Sequence, residues 1–239
     1  MPTPDFAWLL KFRATLAYTA ELSLLLPLWI GYQRWFILQK QHKVVFWCCV
    51  MWAVLTIIGE ILFANKLHNN FVWNIVTILE TLFLGYAFYL VLHSPKSRRF
   101  LRIAAGVFIG IAITDLFYLS GLEATTVYTV ALESALLITT VLLYFEQLLQ
   151  ELRATPLERN PMFVIGIGVM TYFAGTVMVF LLQDSVPRVQ QMFMTMVNSL
   201  LSLVLNSIIA WAFWLVERVQ PPTIPLTASP PAARRVVRR

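Results

Sequence analysis

The chain has 239 residues, 59% apolar and only 13% charged, with a formal net charge of +6 and a mean hydropathy of +0.73. Soluble domains average about 45–50% apolar and about 25% charged, so the composition excludes an ordinary soluble protein and points to an all-α polytopic membrane protein. The positive charge does not indicate nucleic acid, because the basic residues fall in loops between apolar runs, where they orient a chain across the bilayer.

Residues 1–13 read as a short tail whose Phe6, Trp8, Leu9, Leu10 and Phe12 suit the membrane interface. Seven apolar segments follow, at 14–31, 43–64, 70–92, 100–119, 125–147, 160–182 and 189–216. Each approaches the ~20 residues that a membrane-spanning helix needs. Residues 1–218 therefore form a seven-transmembrane-helix bundle, and the Pro-rich, Arg-rich stretch 219–239 reads as a disordered cytoplasmic tail. No Ala-x-Ala-like site follows the first segment, which is expected to stay as an anchor. Cys48 and Cys49 are adjacent near one helix end, which suits packing, or acylation as the alternative, but no disulfide framework.

Lys and Arg in alternate loops set the orientation. Fourteen fall on one side: Arg34, Lys40, Lys43, Lys96, Arg98, Arg99, Arg102, Arg153, Arg159, Arg218, Arg234, Arg235, Arg238 and Arg239. Four fall on the other: Lys11, Arg13, Lys66 and Arg188. The N-terminus is expected outside and the C-terminus in the cytoplasm, in a plasma (bacterial inner) membrane. Trp29, Trp35, Trp47, Trp211 and Trp214 then lie toward the inner interface, and Trp8 and Trp73 toward the outer one.

The third segment organises the rest. Asn74, Thr77, Glu80 and Thr81 fall within an arc of about 120° at 100° per residue, opposite a face of Ile, Val, Leu and Phe. A carboxyl at Glu80, mid-span, must be protonated, paired or hydrated. Glu21, Glu60, Asp115 and Glu133 lie inside other segments, all in the expected outer half or near the midplane, with no Lys, Arg or His at matching depth. Five like charges cannot all stay ionised in a low-dielectric layer. Either they are neutral groups bonding helices together, or they line a polar, outward-opening cavity for a cation, a proton or an amine- or hydroxyl-bearing ligand. In the fifth segment Thr126, Thr129, Glu133 and Thr140 share an arc of about 60°. In the seventh, Asn198, Ser202 and Asn206 recur every four residues. The candidate ligand-binding residues are Glu80, Asn74, Thr77, Glu133, Thr129, Glu21, Glu60, Asp115 and Asn198.

Gly106, Gly110 and Thr114 in the fourth segment, and Gly168, Thr171 and Gly175 in the sixth, are small-residue faces for close helix packing. The fourth segment serves intramolecular contact first, with a homodimer as the alternative. The seventh segment has no Lys for a retinal Schiff base, and His42, His68 and His93 are expected in loops, away from any metal cluster. No Gly-x-Ser-x-Gly or phosphate-binding loop occurs, so no cofactor, metal or catalytic residue is assigned. A hydrolase using paired intramembrane carboxylates is the enzymatic alternative.

Thr19-Ala-Glu21-Leu-Ser-Leu-Leu is echoed by Ala131-Leu-Glu133-Ser-Ala-Leu-Leu, and Val54-Leu-Thr56 by Val169-Met-Thr171. This pattern is similar to the 3+1+3 bundles of sugar and PQ-loop transporters, although their Pro-Gln dipeptide and matched helix prolines are missing. From about Asn70 to Trp214 the chain resembles small seven-helix bacterial membrane proteins, through Asn74-Ile-Val-Thr-Ile-Leu-Glu80, through Asn160 to Gly175, and through the Asn-rich last segment. Some of these resemble the membrane half of sensors fused to a signalling domain. The resemblance implies a sensor-like, non-enzymatic protein whose short tail requires a separate cytoplasmic signalling partner. A small-solute or proton-coupled transporter is the alternative.

Overall fold

The computed structural model describes residues 4–67, 69–116, 127–151, 157–183 and 188–216, and all regular structure among them is helical. In chain order the helices are α1 (Pro4–Ser23), α2 (Leu25–Gln33), α3 (Lys40–Ala64), α4 (Asn70–Val91), α5 (Pro95–Thr114), α6 (Val127–Gln150), α7 (Pro161–Gln183) and α8 (Arg188–Leu215). Six units are long and apolar enough to cross a membrane: Trp8–Gln33, which joins α1 to α2, and then α3, α4, α6, α7 and α8. This is a multi-pass membrane protein. Of the seven expected spans, the fourth is the shortest in apolar length. Lys96, Arg98, Arg99 and Arg102 occupy the first turns of α5. That leaves about 12 apolar residues before Asp115, or ~18 Å of helix. The tail at 219–239 lies outside the described residues, as do Thr126 and His68.

The helices pack in a ring. The α1–α2 unit meets α8, α8 meets α7, α7 meets α6, α6 meets α4, α4 meets α3, and α3 closes the circle on α2. Helix α5 stands outside the ring against α4 and α6. Outward faces carry Ile57, Ile61, Phe63, Val107, Ile113, Leu142, Val197 and Leu200 into the surroundings, as a lipid-facing surface does. One end of the ring interior is filled by Val45, Cys48, Cys49, Leu84, Phe88, Leu137, Val141, Ile165, Ile209 and Phe213, none of them exposed. Both cysteines are thus packing residues.

Local sequence explains the helix boundaries. Asn160 caps α7, its Oδ1 accepting from the N–H groups of Met162 (3.1 Å) and Phe163 (3.4 Å), with Pro161 at the first helical position. The first span breaks at Ser23–Leu24. Pro27 has no N–H to give the Ser23 carbonyl, and Leu24 N turns tightly onto Glu21 O (3.1 Å). Asn206 of α8 fills the gap, donating from Nδ2 to Ser23 Oγ (2.9 Å) and Ala20 O (3.3 Å).

Three expectations are corrected. Residues 4–13 are no tail but the first turns of α1, because nothing between Pro4 and Ser23 interrupts a helix. His42 is not in a loop; it lies buried in the first turn of α3. Gly106 and Gly110 do not serve close intramolecular packing, since a Cβ added at either would meet nothing within 4 Å. The expectation holds for α7, where a Cβ at Gly168 would come within 2.9 Å of Ile208 Cγ2 and one at Gly175 would strike Leu201.

The contrast makes a test. Gly168→Leu should destabilise by about 1–3 kcal/mol, because it overpacks the α7–α8 contact. Gly110→Leu, facing open space, should stay within about 0.5 kcal/mol of wild type. Thermal unfolding of the purified protein in detergent checks both. Equal effects would show that α7 and α8 do not approach this closely.

Candidate functional site

The opposite end of the ring holds a cavity of about 950 Å³. Six helices build it. From α1 come Arg13, Ala17 and Glu21, two turns apart on one side. From α4 come Asn70, Trp73, Asn74, Thr77 and Glu80, the polar arc read in the sequence. From α7 come Tyr172, Phe173 and Thr176, and from α8 Thr195, Asn198, Ser199, Ser202 and Asn206. Trp52 and Thr56 of α3 and Glu133 of α6 complete the wall. Asn70 starts α4 and Glu80 follows ten residues on, so the cavity runs about 15 Å from the helix ends to mid-bundle.

The two deepest acids are both buried. Glu80 is 6% exposed and Glu133 3%. Thr81 Oγ1 lies 2.7 Å from Glu133 Oε1 and 2.8 Å from Thr77 O, so its single proton has two acceptors. That contact joins α4 to α6 at the level of Glu80. Trp52 and Glu80 both line this floor, and Glu80 Oε1 is fully buried with no hydrogen-bond partner. On the far wall Thr176 Oγ1 donates to Asn198 Oδ1 (3.3 Å), and Tyr172 and Ser202 line the same side.

The structure brings six of the nine sequence-predicted residues to one cavity: Glu21, Asn74, Thr77, Glu80, Glu133 and Asn198. Three stand elsewhere. Glu60 is exposed on the outer face of α3, one turn from its end at Ala64, where a carboxyl reaches the interface. Asp115 and Thr129 pair with each other instead: Asp115 Oδ2 accepts from Thr129 Oγ1 (2.7 Å) and from Thr129 N (3.1 Å), capping the first turn of α6. The Thr126–Thr140 stripe divides likewise, since Thr140 is buried below the cavity and bonds Leu136 O of its own helix (2.8 Å).

Sequence reasoning missed Arg13, Trp52, Tyr172 and Thr176. Arg13 had been counted only as a loop charge, yet α1 begins early enough to carry it along the cavity wall. Trp52 and Thr56 are spaced four apart on α3, a usable signal that a polar arc built from acids alone overlooks. Among the described residues no group of three or more His, Cys, Asp or Glu side chains could hold a metal ion. Comparison of the chain with protein-family models, with curated proteins and with solved structures finds no match.

The buried contact at the base of the cavity predicts a measurable stability. Thr81→Val keeps the shape but strips Glu133 Oε1 of its partner, and should destabilise by about 0.6–1.7 kcal/mol. Thr114→Val, whose hydroxyl bonds only Gly110 O of its own helix (2.8 Å), should shift stability by less than about 0.5 kcal/mol. Unfolding in detergent with increasing denaturant distinguishes the two.

Proposed function

We propose that the protein is a receptor-like membrane protein that binds a small ligand in this cavity without transporting it or acting on it chemically. The observation that carries the reading is the difference between the two ends of the ring. Polar groups reach from Arg13 and Asn70 to Glu80 and Glu133, and there they stop. Beyond lies the close-packed layer of Leu84, Phe88, Leu137, Val141, Ile165, Ile209 and Phe213. The polar residues that could have continued a path do not: Thr140 is turned onto its own helix, and Ser207 is exposed on the outside of α8 and bonds Leu203 O.

In this reading the charge asymmetry places the cavity mouth outside and the apolar end with Arg34, Lys43 and Arg98 in the cytoplasm of a bacterial inner membrane. Ligand in the cavity shifts a helix-packing equilibrium, and a separate cytoplasmic partner reads it. The unit that connects the two ends is the broken first span. Its break is held by Asn206 at the cavity wall, and beyond α2 Arg34 Nη1 donates to Trp214 O at 2.7 Å. A small-solute transporter is the second reading, and that same break favours it, because discontinuous helices near the midplane are a transporter device.

Cysteine accessibility separates these readings. The native cysteines are fully buried and should not react with a membrane-impermeant thiol reagent. Thr77→Cys and Ser199→Cys should react from outside in sealed vesicles, and Thr140→Cys from neither side. Labelling of Thr77→Cys from the inner face would support alternating access and the transporter. Orientation is checked independently by reporter fusions. Those at Ser97 and Ala228 should read cytoplasm, and those at Glu123 and Ser185 outside; a same-side result for Ser97 and Glu123 would remove α5 as a crossing.

A further inference from the structure

The cavity's base combines three features that together select a ligand class. Glu80 Oε1 is a buried acceptor with nothing to accept from. A second carboxyl, Glu133, lines the same floor, so a cationic group there meets two acids. The rings of Trp52, Tyr172 and Phe173 line the wall with these acids, and among the described residues no group of three or more His, Cys, Asp or Glu could hold a metal ion. Ring faces attract cations, and they also shelter an apolar ligand body.

Resting on the receptor reading above, we propose that the cavity binds a small organic amine, its primary ammonium on Glu80 and its apolar part against the Trp52–Tyr172 side. The N–H requirement comes from the Glu80 carboxyl, which lines the cavity floor. A primary ammonium donates hydrogen bonds to a carboxylate, whereas a quaternary ammonium of the same charge brings only methyl groups. Arg13 and Glu21, further up the wall, bear on the other end of the ligand. A guanidinium there disfavours a second cationic group near the mouth and tolerates a hydroxyl or a carboxylate. The Glu133 carboxyl is already engaged by Thr81, which leaves Glu80 as the group that pairs with the ligand.

The test uses the full chain in lipid nanodiscs and a matched series: 2-phenylethylamine, its trimethylammonium analogue, 2-phenylethanol and 3-phenylpropionate. Binding is read by calorimetry and by the fluorescence of the cavity tryptophans. Phenylethylamine should bind at least ten-fold more tightly than the other three. Glu80→Gln should lose at least ten-fold for the amine while leaving the alcohol unchanged. Trp52→Ala removes a ring face from the wall and should weaken the amine several-fold. Thr114→Val should match wild type. Equal affinity for amine and alcohol would overturn the proposal, because Glu80 would then act as a neutral hydrogen-bonding group. Tightest binding of the propionate would overturn it in favour of Arg13 as the recognition group, and absence of binding by every probe would overturn it as well. The wild-type series is decisive even if Glu80→Gln fails to fold. Glu80-dependent uptake of phenylethylamine into sealed proteoliposomes would support the ligand class while removing the receptor reading. Amine preference without uptake supports both.

Discussion

The bundle depends on two carboxyl groups that sit in its interior and must be accommodated there. A buried acid without partners is expensive, so the chain brings polar groups to it from other helices. Thr81 of α4 reaches Glu133 of α6. Two helices are thereby fixed at one depth by side chains that have few alternatives in an apolar surrounding. Hydrophobic burial cannot do this in a membrane, where lipid tails are as apolar as Leu, so directional contacts and close packing set the registry.

The two ends of the ring are then built on different terms. At the apolar end, Leu, Val, Phe and Cys side chains fill the interior, and polar contacts lie at the rim. There His93 N donates to Gln147 Oε1 (2.7 Å), Arg98 Nε to Leu92 O (2.6 Å), and Arg34 to Trp214 O. At the other end the polar stripes of α4 and α8 face inward across an open space. Glycines explain part of the contrast. Gly166 and Gly168 let α7 lie close against α6 and α8 just below the cavity, where an added Cβ at Gly166 would meet Phe145 at 2.8 Å.

Much of this was legible in the sequence, because a spanning helix announces itself by composition and its polar face by period. The bounds of α4 and α7 and the six converging residues follow from those two local signals. What escaped has a common cause: it depends on which helix stands beside which. Asp115 and Thr129 are fourteen residues apart in the chain and look like two members of a polar layer. Only the placement of α5 outside the ring turns them into a private cap. Glu60 looks like another member of the acid layer, yet its nearness to the end of α3 lets it face outward. The early start of α1 was hidden by Lys11 and Arg13, which read as flanking charges when they belong to the helix itself.

Polar residues inside a membrane bundle admit two explanations, glue between helices or a site for something else, and the described contacts divide them residue by residue. Glue is paired. Asp115 with Thr129, Asn206 with Ser23, and Ser134 and Thr140 with carbonyls of their own helix all meet that standard and need no ligand. Glu80 does not meet it, because one carboxyl oxygen is sealed from solvent and lacks any donor. Stability alone would favour replacing such a group with an apolar one of similar shape. An acid kept at the floor of a cavity, beside a second acid and three aromatic rings, suits the amine ligand proposed above.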